Sequence, residues 1–558
     1  MRTATPSSLA LLATAAHALP ELLITKRDAD LRTSPVARGL LKRQGGGTVE
    51  TNVYDILTYS SGGAYYANVT VGTPPQDQVV ILDTGSSDLY FDASTAPACD
   101  TTGPYSCRGG TFNPKNSNTY NVVDPAPAFN TSFGDGSTAM GPFAEDMIGI
   151  GDVVLSNVQF GVALEVNSTT GYAIGLMGVG YSENEATQHQ YPNMPEVLRD
   201  SGVINSRLYS VYLNSIGETS GSILFGGIDT SKYTGEMATL NLLTDVNTGG
   251  IDQFISTVTA MSASVSGKVT PMFSGGSNSD AAYGQTDTAL PVLLDTGSSA
   301  WSMPQNYYTQ YIAPAFPYVD QQGLCSCSHQ NDDTTLTLEF GSKINITVPI
   351  REFVVPIYNS TTNQPYPYSS SGSDTACAFM IVPAAPTGQG FQTLGDAILR
   401  SMYVVFDLDN GQVSLAQAAL NSTASPAIHT VSAGASGVAK AISSASYSGA
   451  PQQTGSIAAE VNGTASFGVS TAQSTIGSAT GTAAVPADAQ ASGTSGGSRS
   501  GGSGGSGSGT GSGGGATSSA AAVALGRTRS GGEVRWSSVW GVGAWVFGMG
   551  VLGAAVVL

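Results

Sequence analysis

Charged residues, cysteine and histidine are all scarce in this chain of 558 residues. Only 11% of the residues are charged, and there are 5 cysteines and 4 histidines. Basic residues are the rarer charged class, because 21 Lys and Arg face 40 Asp and Glu for a net charge of −19. Nucleic-acid binding needs clustered Lys and Arg, so this composition argues against it. The few Cys and His residues show no metal-site spacing, and we expect no metal and no cofactor.

The excess of acidic residues is concentrated in the middle of the chain. Residues 44–422 contain 34 acidic and 9 basic residues. A compact region with this imbalance repels itself at neutral pH, and protonation of its carboxylates relieves the repulsion. The composition therefore predicts a preference for acidic surroundings.

The N-terminal residues have the features of targeting and processing segments. Residues 1–18 combine Arg2, an apolar and small-residue run, and a small-x-small cleavage site ending at Ala18, as in a secretory signal peptide. Residues 19–43 are predicted to be a propeptide. They end in the basic pair Lys42-Arg43 before a glycine run, which is an accessible site for a processing protease.

The C-terminal part has a composition typical of an anchor with a spacer. Residues 423–530 are rich in Ser, Gly, Ala and Thr and are predicted to be a disordered stalk. Residues 531–558 end in an uncharged apolar run and resemble a GPI-anchor signal that is removed on maturation, with Ser530 as the attachment residue. A retained tail-anchor helix is the alternative, since the run is long enough to span a bilayer.

Sequons and cysteines agree with passage through an oxidising secretory pathway. Cys99 is predicted to pair with Cys107, and Cys377 with either Cys325 or Cys327. Seven N-x-Ser/Thr sequons are candidate glycosylation sites: Asn68, Asn130, Asn167, Asn345, Asn359, Asn421 and Asn462. We expect a monomer delivered to the extracellular face of the plasma membrane, or to the cell wall.

Residues 44–422 read as β-structure, with short alternating or β-branched runs separated by Gly, Pro, Asn and Asp. One pattern occurs twice in this region. An apolar run enters Asp83-Thr84-Gly85-Ser86-Ser87, and a second enters Asp295-Thr296-Gly297-Ser298-Ser299. This repeat predicts two related lobes, residues 44–235 and 236–422, whose aspartates meet at the interface.

Paired aspartates at such an interface have a recognised chemistry. Two close carboxylates share one proton, so that one activates a water as general base and the other polarises a carbonyl. The residues expected to support the pair are a threonine, a glycine and a serine from each loop. The threonines tie the loops together, the glycines admit the carboxylates and the serines donate hydrogen bonds: Thr84, Gly85, Ser86, Thr296, Gly297 and Ser298.

The region from Tyr65 to Ala416 resembles the pepsin-like aspartic proteases. The resemblance rests on both Asp-Thr-Gly motifs and on further segments, namely Val71-Gly72-Thr73-Pro74-Pro75-Gln76, Phe133-Gly134-Asp135-Gly136-Ser137, Leu176-Met177-Gly178, Leu224-Phe225-Gly226-Gly227-Ile228-Asp229 and Thr393-Leu394-Gly395. It implies an all-β, bilobal fold with the active-site cleft between the lobes. It also implies an endopeptidase for polypeptide substrates, and a hairpin flap formed around Phe133, Gly134, Asp135, Gly136 and Ser137. With the stalk and anchor signal, the chain is most similar to the fungal yapsin-type surface proteases.

Two flap-related residues differ from the family pattern. The family usually has a tyrosine at the position of Phe133 and a tryptophan at the position of Tyr90, and these two side chains form a hydrogen bond. Here that bond cannot form, so we expect ring packing or another partner for Tyr90. The loss of one neutral hydrogen bond, about 1 kcal/mol, predicts a looser flap.

The resemblance also bears on specificity through Asp135. In similar fungal proteases an acidic residue at this position pairs with Lys or Arg just before the scissile bond, and the alternative is a turn residue within Gly-Asp-Gly. Two other functions are alternatives: a catalytically silent binding protein on the same fold, and a structural cell-wall mannoprotein. Both aspartates are present, which favours the enzyme.

Overall fold

The β-branched runs of the sequence form strands throughout the described part of the chain. The computed structural model describes residues 47–56, 64–99, 107–169, 173–187, 189–216, 218, 221–245, 248–274, 289–358, 364–368, 374–384, 390–442, 447–448, 453–457 and 468–471. The predicted all-β fold is confirmed. Over these residues no helix has the length and apolar character needed to cross a membrane.

The strands follow the chain in two series. Strands β1 to β14 are Val49–Ile56, Ala64–Val71, Gln76–Asp83, Leu89–Asp92, Asn121–Ser132, Thr138–Ile150, Val153–Ala163, Glu165–Asn167, Gly175–Gly178, Leu208–Tyr212, Gly221–Phe225, Gly227–Asp229, Tyr233–Asn241 and Thr244–Asp245. Strands β15 to β31 are Ile255–Val265, Lys268–Ser274, Leu290–Leu294, Trp301–Pro304, Leu324–Ser326, Thr334–Phe340, Ile344–Pro349, Val354–Pro356, Ala376–Phe379, Ile381–Ala384, Gln392–Leu394, Met402–Asp407, Gln412–Ala418, Ile428–Thr430, Tyr447–Ser448, Gln453–Ile457 and Gly468–Thr471.

Helices are short and lie between strands. The α-helices α1 to α5 are Met194–Asp200, Gln305–Tyr307, Ala313–Ala315, Asp396–Leu399 and Gly437–Ala441, and a π-helical turn covers Tyr308–Ile312. The 3₁₀ turns are Pro97–Cys99, Pro114–Asn116, Ser182–Asn184, Cys327–Asn331 and Ile350–Glu352. Helix α1 starts at a capping box, in which Asn193 and Glu196 each accept a hydrogen bond from the other's backbone N–H.

Two large sheets build the two lobes. The first has 15 strands and contains most of β1 to β13, and the second has 8 strands and contains β15 to β18, β20, β21, β24 and β25. The first sheet also includes β26 and β27, because β26 pairs with β10 and β27 pairs with β13. The chain therefore returns from the second lobe to complete the sheet of the first, which joins the lobes through backbone hydrogen bonds.

The predicted duplication is visible in the strand order around each Asp-Thr-Gly motif. In the first lobe β3 pairs in parallel with β9, β9 pairs antiparallel with β4, and β4 pairs in parallel with β7. In the second lobe β17, β25, β18 and β24 are joined by the same sequence of parallel, antiparallel and parallel pairings. The two motifs thus end equivalent strands of equivalent sheets.

Burial explains why the two strands that carry the motifs are apolar. Both faces of β17 are covered, and all five of its residues are buried. In β3, Val80 and Leu82 are fully buried and alternate with less buried neighbours. Strands covered on both faces favour continuous apolar sequence, whereas half-covered strands alternate.

The folded region extends beyond residue 422, where the sequence analysis placed the start of the stalk. Strand β28 pairs with β12, and Val431, Val438 and Ile442 are buried against the first sheet. These few apolar residues lie in a stretch that is otherwise rich in Ser, Gly and Ala, so composition alone does not reveal the packing. Residues 1–43, the predicted anchor signal 531–558 with Ser530, and the sequons Asn359 and Asn462 lie outside the described residues.

Candidate active site

Asp83 ends strand β3 and is held by its own loop. Its Oδ1 accepts a hydrogen bond from the backbone N–H of Gly85 at 2.8 Å, and its Oδ2 accepts one from the Ser86 hydroxyl. The side chain is 3% exposed. Parallel pairing places Asp83 opposite Gly178, and the Val179 N–H donates to the Asp83 carbonyl at 2.9 Å, which fixes the backbone of the loop.

Asp295 receives the corresponding hydrogen bonds in the second lobe. The Gly297 N–H donates to Oδ1 at 2.8 Å and the Ser298 hydroxyl donates to Oδ2 at 2.9 Å. Behind the loop, the Asp295 N–H donates to the Leu394 carbonyl and the Gly395 N–H donates to the Ala300 carbonyl. The two aspartates therefore receive matching hydrogen bonds from matching residues.

The two threonines connect the loops by reciprocal hydrogen bonds. The Thr84 hydroxyl donates to the Leu294 carbonyl at 2.8 Å and accepts from the Thr296 N–H at 3.0 Å. The Thr296 hydroxyl donates to the Leu82 carbonyl at 2.8 Å and accepts from the Thr84 N–H at 3.1 Å. These buried contacts span about 210 residues of sequence and hold the aspartates in register.

Close approach of the two carboxylates requires both glycines. A Cβ on Gly85 would lie 2.7 Å from Asp295 Oδ1, and a Cβ on Gly297 would lie 2.5 Å from Asp83 Oδ1. Real Cβ atoms do not approach other heavy atoms so closely. Each loop thus presents its glycine to the aspartate of the other loop, and any larger residue would push the pair apart.

Burial raises the pKa of Asp295 well above its ordinary value. The charge of Asp83 and a hydrogen bond between the two side chains raise it further, and these effects outweigh the donors from Gly297 and Ser298. A carboxyl group in this state keeps its proton to higher pH than an ordinary aspartic acid. The pair has the asymmetry that general acid–base chemistry needs.

The flap is the hairpin of β5 and β6, and its turn is formed by the predicted residues 133–137. The Phe133 N–H donates to the Ser137 carbonyl, and Gly136 has a φ of +86°, which favours glycine. Gly134 lies in the same turn. The Phe133 ring lies 6.2 Å from the Tyr90 ring, and Phe129 packs on Tyr90 at 5.4 Å.

Tyr90 makes both of the contacts that were expected as alternatives from the sequence, namely ring packing and a hydrogen bond to another partner. Besides the ring packing, its hydroxyl donates to the Ile174 carbonyl at 3.5 Å. Burial, and then the negative charges of Asp92 and Asp83, hold the pKa of Tyr90 well above its usual range, so the hydroxyl remains a donor. The ring of Tyr90 thus links the turn of residues 133–137 to the strand that follows the Asp83 loop.

Asp135 accepts three hydrogen bonds, all from neighbouring protein groups. Its Oδ1 accepts from the Ser137 N–H at 2.8 Å, and its Oδ2 accepts from the hydroxyls of Ser137 at 2.8 Å and Thr169 at 2.7 Å. The residue is partly exposed at the flap tip. Sequence reasoning missed Thr169, because it lies 34 residues away from Asp135.

Three buried carboxyl groups lie in the first lobe near the Asp83 loop, and the sequence analysis did not single them out. Asp88 accepts from the Tyr191 hydroxyl at 2.6 Å and from the Ala186 N–H at 2.7 Å, and burial raises its pKa. Burial also raises the pKa of Asp92 to about 7 and that of Glu185 to about 9. No ion pair within the described residues includes any of the three.

Asp92 and the first disulfide form the one cluster of potential metal ligands found in the described residues. Its ligand-type atoms, from Asp92, Cys99 and Cys107, lie within 4.8 Å of one another. The two cysteines are bonded to each other, however, and a disulfide supplies no thiolate. A single buried carboxyl group remains, which does not make a metal site.

The disulfides follow the predicted pairing. Cys99 bonds to Cys107, and Cys327 bonds to Cys377. Cys325, the alternative partner, lies opposite Cys377 in the pairing of β19 with β23 and is a free, buried thiol. Burial raises its pKa to about 12, so the thiol is protonated. The sequons Asn68, Asn130, Asn167, Asn345 and Asn421 are all exposed.

Comparison with known proteins agrees with this geometry. The family model described as "Eukaryotic aspartyl protease" matches residues 64–418, which is well over half of the chain. A probable aspartic-type endopeptidase opsB of Aspergillus oryzae is 36% identical over 401 residues, covering 70% of this chain and 74% of that protein. Secreted aspartic protease 8 of Candida albicans is 30% identical over 384 residues, covering 68% of this chain and 80% of that protein.

Proposed function

We propose that Asp83 and Asp295 are the catalytic residues of this chain, which belongs to the eukaryotic aspartyl protease family and is an aspartic-type endopeptidase. The observation that carries the proposal is the convergence of two equivalent loops. Each glycine faces the aspartate of the other loop, and each carboxylate accepts the same two hydrogen bonds. Two aspartates in unrelated turns would have no reason for this mutual arrangement.

In the proposed mechanism Asp295 carries the shared proton and Asp83 is ionised. The Asp83 carboxylate takes a proton from a water between the two groups, and the water oxygen attacks the carbonyl carbon of the peptide bond. The Asp295 proton passes to the carbonyl oxygen, forming a neutral gem-diol. The gem-diol then collapses: one of its hydroxyls returns a proton to Asp295, the C–N bond breaks, and the nitrogen leaves with the proton held by Asp83, which restores the starting state of the pair. Because the pair titrates as one unit, loss of its shared proton ends activity on the alkaline side.

We place the working pH of the enzyme in the acidic range. The raised pKa of Asp295 keeps the active pair singly protonated, and the lobes carry 34 acidic and 9 basic residues. The buried carboxyl groups Asp88, Asp92 and Glu185 also favour the folded state at low pH, because they are buried most easily when protonated.

The proposed location is the extracellular face of the plasma membrane, held by a lipid anchor, or the cell wall. The signal-like residues 1–18, the Ser/Gly/Ala-rich stretch and the anchor-like residues 531–558 support it. The name "Secreted aspartic protease 8" places one relative outside the cell. Release of the protein from intact membranes by a phosphatidylinositol-specific phospholipase tests the anchor, and continued attachment would favour a retained helix or a wall cross-link.

The proposed specificity is a preference for Lys or Arg before the scissile bond. Asp135 supports it, since the carboxylate lies partly exposed at the flap tip in a lobe with few basic groups. Its three local donors leave room for one further donor, because an ionised carboxylate offers about four acceptor sites.

One experiment tests the activity and the specificity together. A peptide library is digested at acidic and at near-neutral pH, with and without a statine-type inhibitor, and the cleavage sites are sequenced. We expect inhibitor-sensitive cleavage that is faster at acidic pH and enriched in Lys and Arg before the cut. Absence of inhibitor-sensitive cleavage would contradict the function, and a purely apolar profile would contradict only the specificity.

A further inference from the structure

The flap of this protein has a third strand at its side. Strand β8 pairs with β6, which places Asn167 opposite Thr138 and Glu165 opposite Met140. The chain then brings Thr169 to the flap turn, where a Cβ on Gly136 would lie 3.6 Å from the Thr169 methyl group. The tip of the hairpin is therefore flanked by a second segment of the first lobe.

Thr169 is bound to the flap tip by its side chain and by its backbone. The Thr169 hydroxyl donates to Asp135 Oδ2 at 2.7 Å, and the Thr169 N–H donates to the Ser137 hydroxyl at 3.1 Å. The Ser137 hydroxyl in turn donates to Asp135 Oδ2 at 2.8 Å. The bonds between Asp135 and Ser137 are internal to the turn and would move with it. Those from Thr169 connect the turn to a different segment.

We propose that Thr169 is a positioning residue that holds the flap tip through the carboxylate of Asp135. A hairpin tip has few contacts of its own and is easily displaced. Here Phe133 contacts Tyr90 on one side of the turn, and Thr169 binds the carboxylate on another. With two separate attachments, the resting position of the flap is set before substrate binds. This inference rests on the proposed peptidase function and deepens it.

The same threonine belongs to a sequon, which determines how the test is designed. Thr169 is the third residue of the sequon Asn167-Ser168-Thr169, and the exposed Asn167 lies on the strand beside the flap. Thr169→Val removes both the hydroxyl and the glycosylation signal. Thr169→Ser keeps both, and Asn167→Gln removes only the glycan. The three variants separate the effect of the hydrogen bond from that of the sugar.

The full-length protein and these variants are compared by steady-state kinetics on one peptide with Lys and one with Leu before the scissile bond. Exchange of the Ser137 amide hydrogen is measured in parallel. For Thr169→Val we expect kcat/KM to fall roughly three- to tenfold, as for the loss of one solvent-accessible hydrogen bond. The fall should come mainly from KM, be equal for both peptides, and accompany faster amide exchange with an unchanged melting temperature.

Thr169→Ser should restore wild-type values, and Asn167→Gln should match the wild type in both measurements. Wild-type exchange and kinetics in Thr169→Val would overturn the proposal, and so would equal defects in Thr169→Ser or Asn167→Gln. A loss confined to the Lys peptide would also overturn it, since it would assign Asp135 to substrate binding alone. If wild type shows no peptidase activity, the proposed function fails, while amide exchange still reports on the flap contact.

Discussion

The Asp83 loop and the Asp295 loop make equivalent hydrogen bonds, but their surroundings differ. Five and nine residues after Asp83 the chain has the buried acids Asp88 and Asp92, whereas the same positions after Asp295 are Ala300 and Pro304. The two lobes therefore share the hydrogen bonds that the paired aspartates require and differ in the buried acids that follow the aspartate loop.

The difference extends to how each lobe accommodates a buried acid. In the second lobe Glu352 is fully buried and accepts a hydrogen bond from Arg400 at 3.1 Å, with further donors from Ser215 and Ile216. In the first lobe Asp92 is equally buried, and neither of its oxygens has a hydrogen-bond partner in the described part of the structure. A buried acid without a hydrogen-bond partner is buried most favourably when protonated. Asp92 should thus make the stability of the first lobe depend on pH.

The largest expected effect is at the shared chemistry, where the lobes should be equivalent. Asp83→Asn and Asp295→Asn should each lower kcat by at least about 10⁴-fold, because each removes the pair that shares a proton. The double variant should be little worse than either single one, since the residues act as a unit. Turnover is measured on a peptide substrate, with melting temperature as the folding control. Appreciable activity in either single variant would contradict the assignment.

The second prediction concerns the unpaired acid of the first lobe. The pKa of Asp92 is about 7 in the folded protein and about 3.8 in the unfolded chain. Between these values the unfolded chain releases the proton and the folded protein retains it, so stability falls as pH rises from about 4 to about 7. The upper bound on this loss is roughly 4 kcal/mol.

The Asp92→Asn variant cannot ionise at this site and should lose the corresponding part of the pH dependence. Urea unfolding at pH 4 and pH 7.5 measures the effect, and the matched control is Asp77→Asn at an exposed position on β3 of the same sheet. We expect Asp92→Asn to gain stability relative to wild type at pH 7.5 but not at pH 4. An equal shift at both pH values would mean that Asp92 is not buried in its protonated form.

These two predictions differ in how far the sequence could lead to them. Each Asp-Thr-Gly-Ser-Ser motif is contiguous, and its strand, loop and hydrogen bonds follow from local order, so the catalytic pair was accessible to sequence reasoning. Asp92 has no such signal, because an acid at the end of a four-residue strand is equally compatible with exposure. Only the tertiary structure shows that the disulfide and the sheet enclose it.

Long-range contacts limited the remaining sequence predictions in the same way. Thr169 meets Asp135 only because β8 adds to the flap, and the packing of Val438 depends on β28 pairing with β12. Neither residue stands out from the composition of the sequence around it. The duplicated strand order, in contrast, was predictable in outline because both copies carry the same apolar approach to the motif.

The third prediction addresses the symmetry of the threonine contacts. Thr84→Val and Thr296→Val each remove a hydroxyl that makes two buried hydrogen bonds, and each should lower the free energy of unfolding by about 1–3 kcal/mol. The shape of the side chain is preserved, so the loss reports on hydrogen bonding. Thr→Ser at the same positions is the control and should retain most of the stability. Unfolding in urea measures both. A loss at only one position would show that the loops are held unequally.

The smallest expected effect lies at the flap, which only the first lobe supplies to the cleft. The family's tyrosine and tryptophan can be reintroduced as Phe133→Tyr and Tyr90→Trp, and the ring separation of 6.2 Å places the two side chains side by side. Tyr90→Trp alone should lose the hydrogen bond to Ile174, and Phe133→Tyr alone adds a hydroxyl without its usual partner. Together they can form the missing bond. We therefore expect the double variant to exceed the sum of the single effects by about 1 kcal/mol, or roughly fivefold in kcat/KM.

A double-variant cycle on substrates with Lys and with Leu before the scissile bond measures this coupling. Because the bond adds no charge, both substrates should change in the same proportion. Additive single effects would show that ring packing already fixes the flap of this protein.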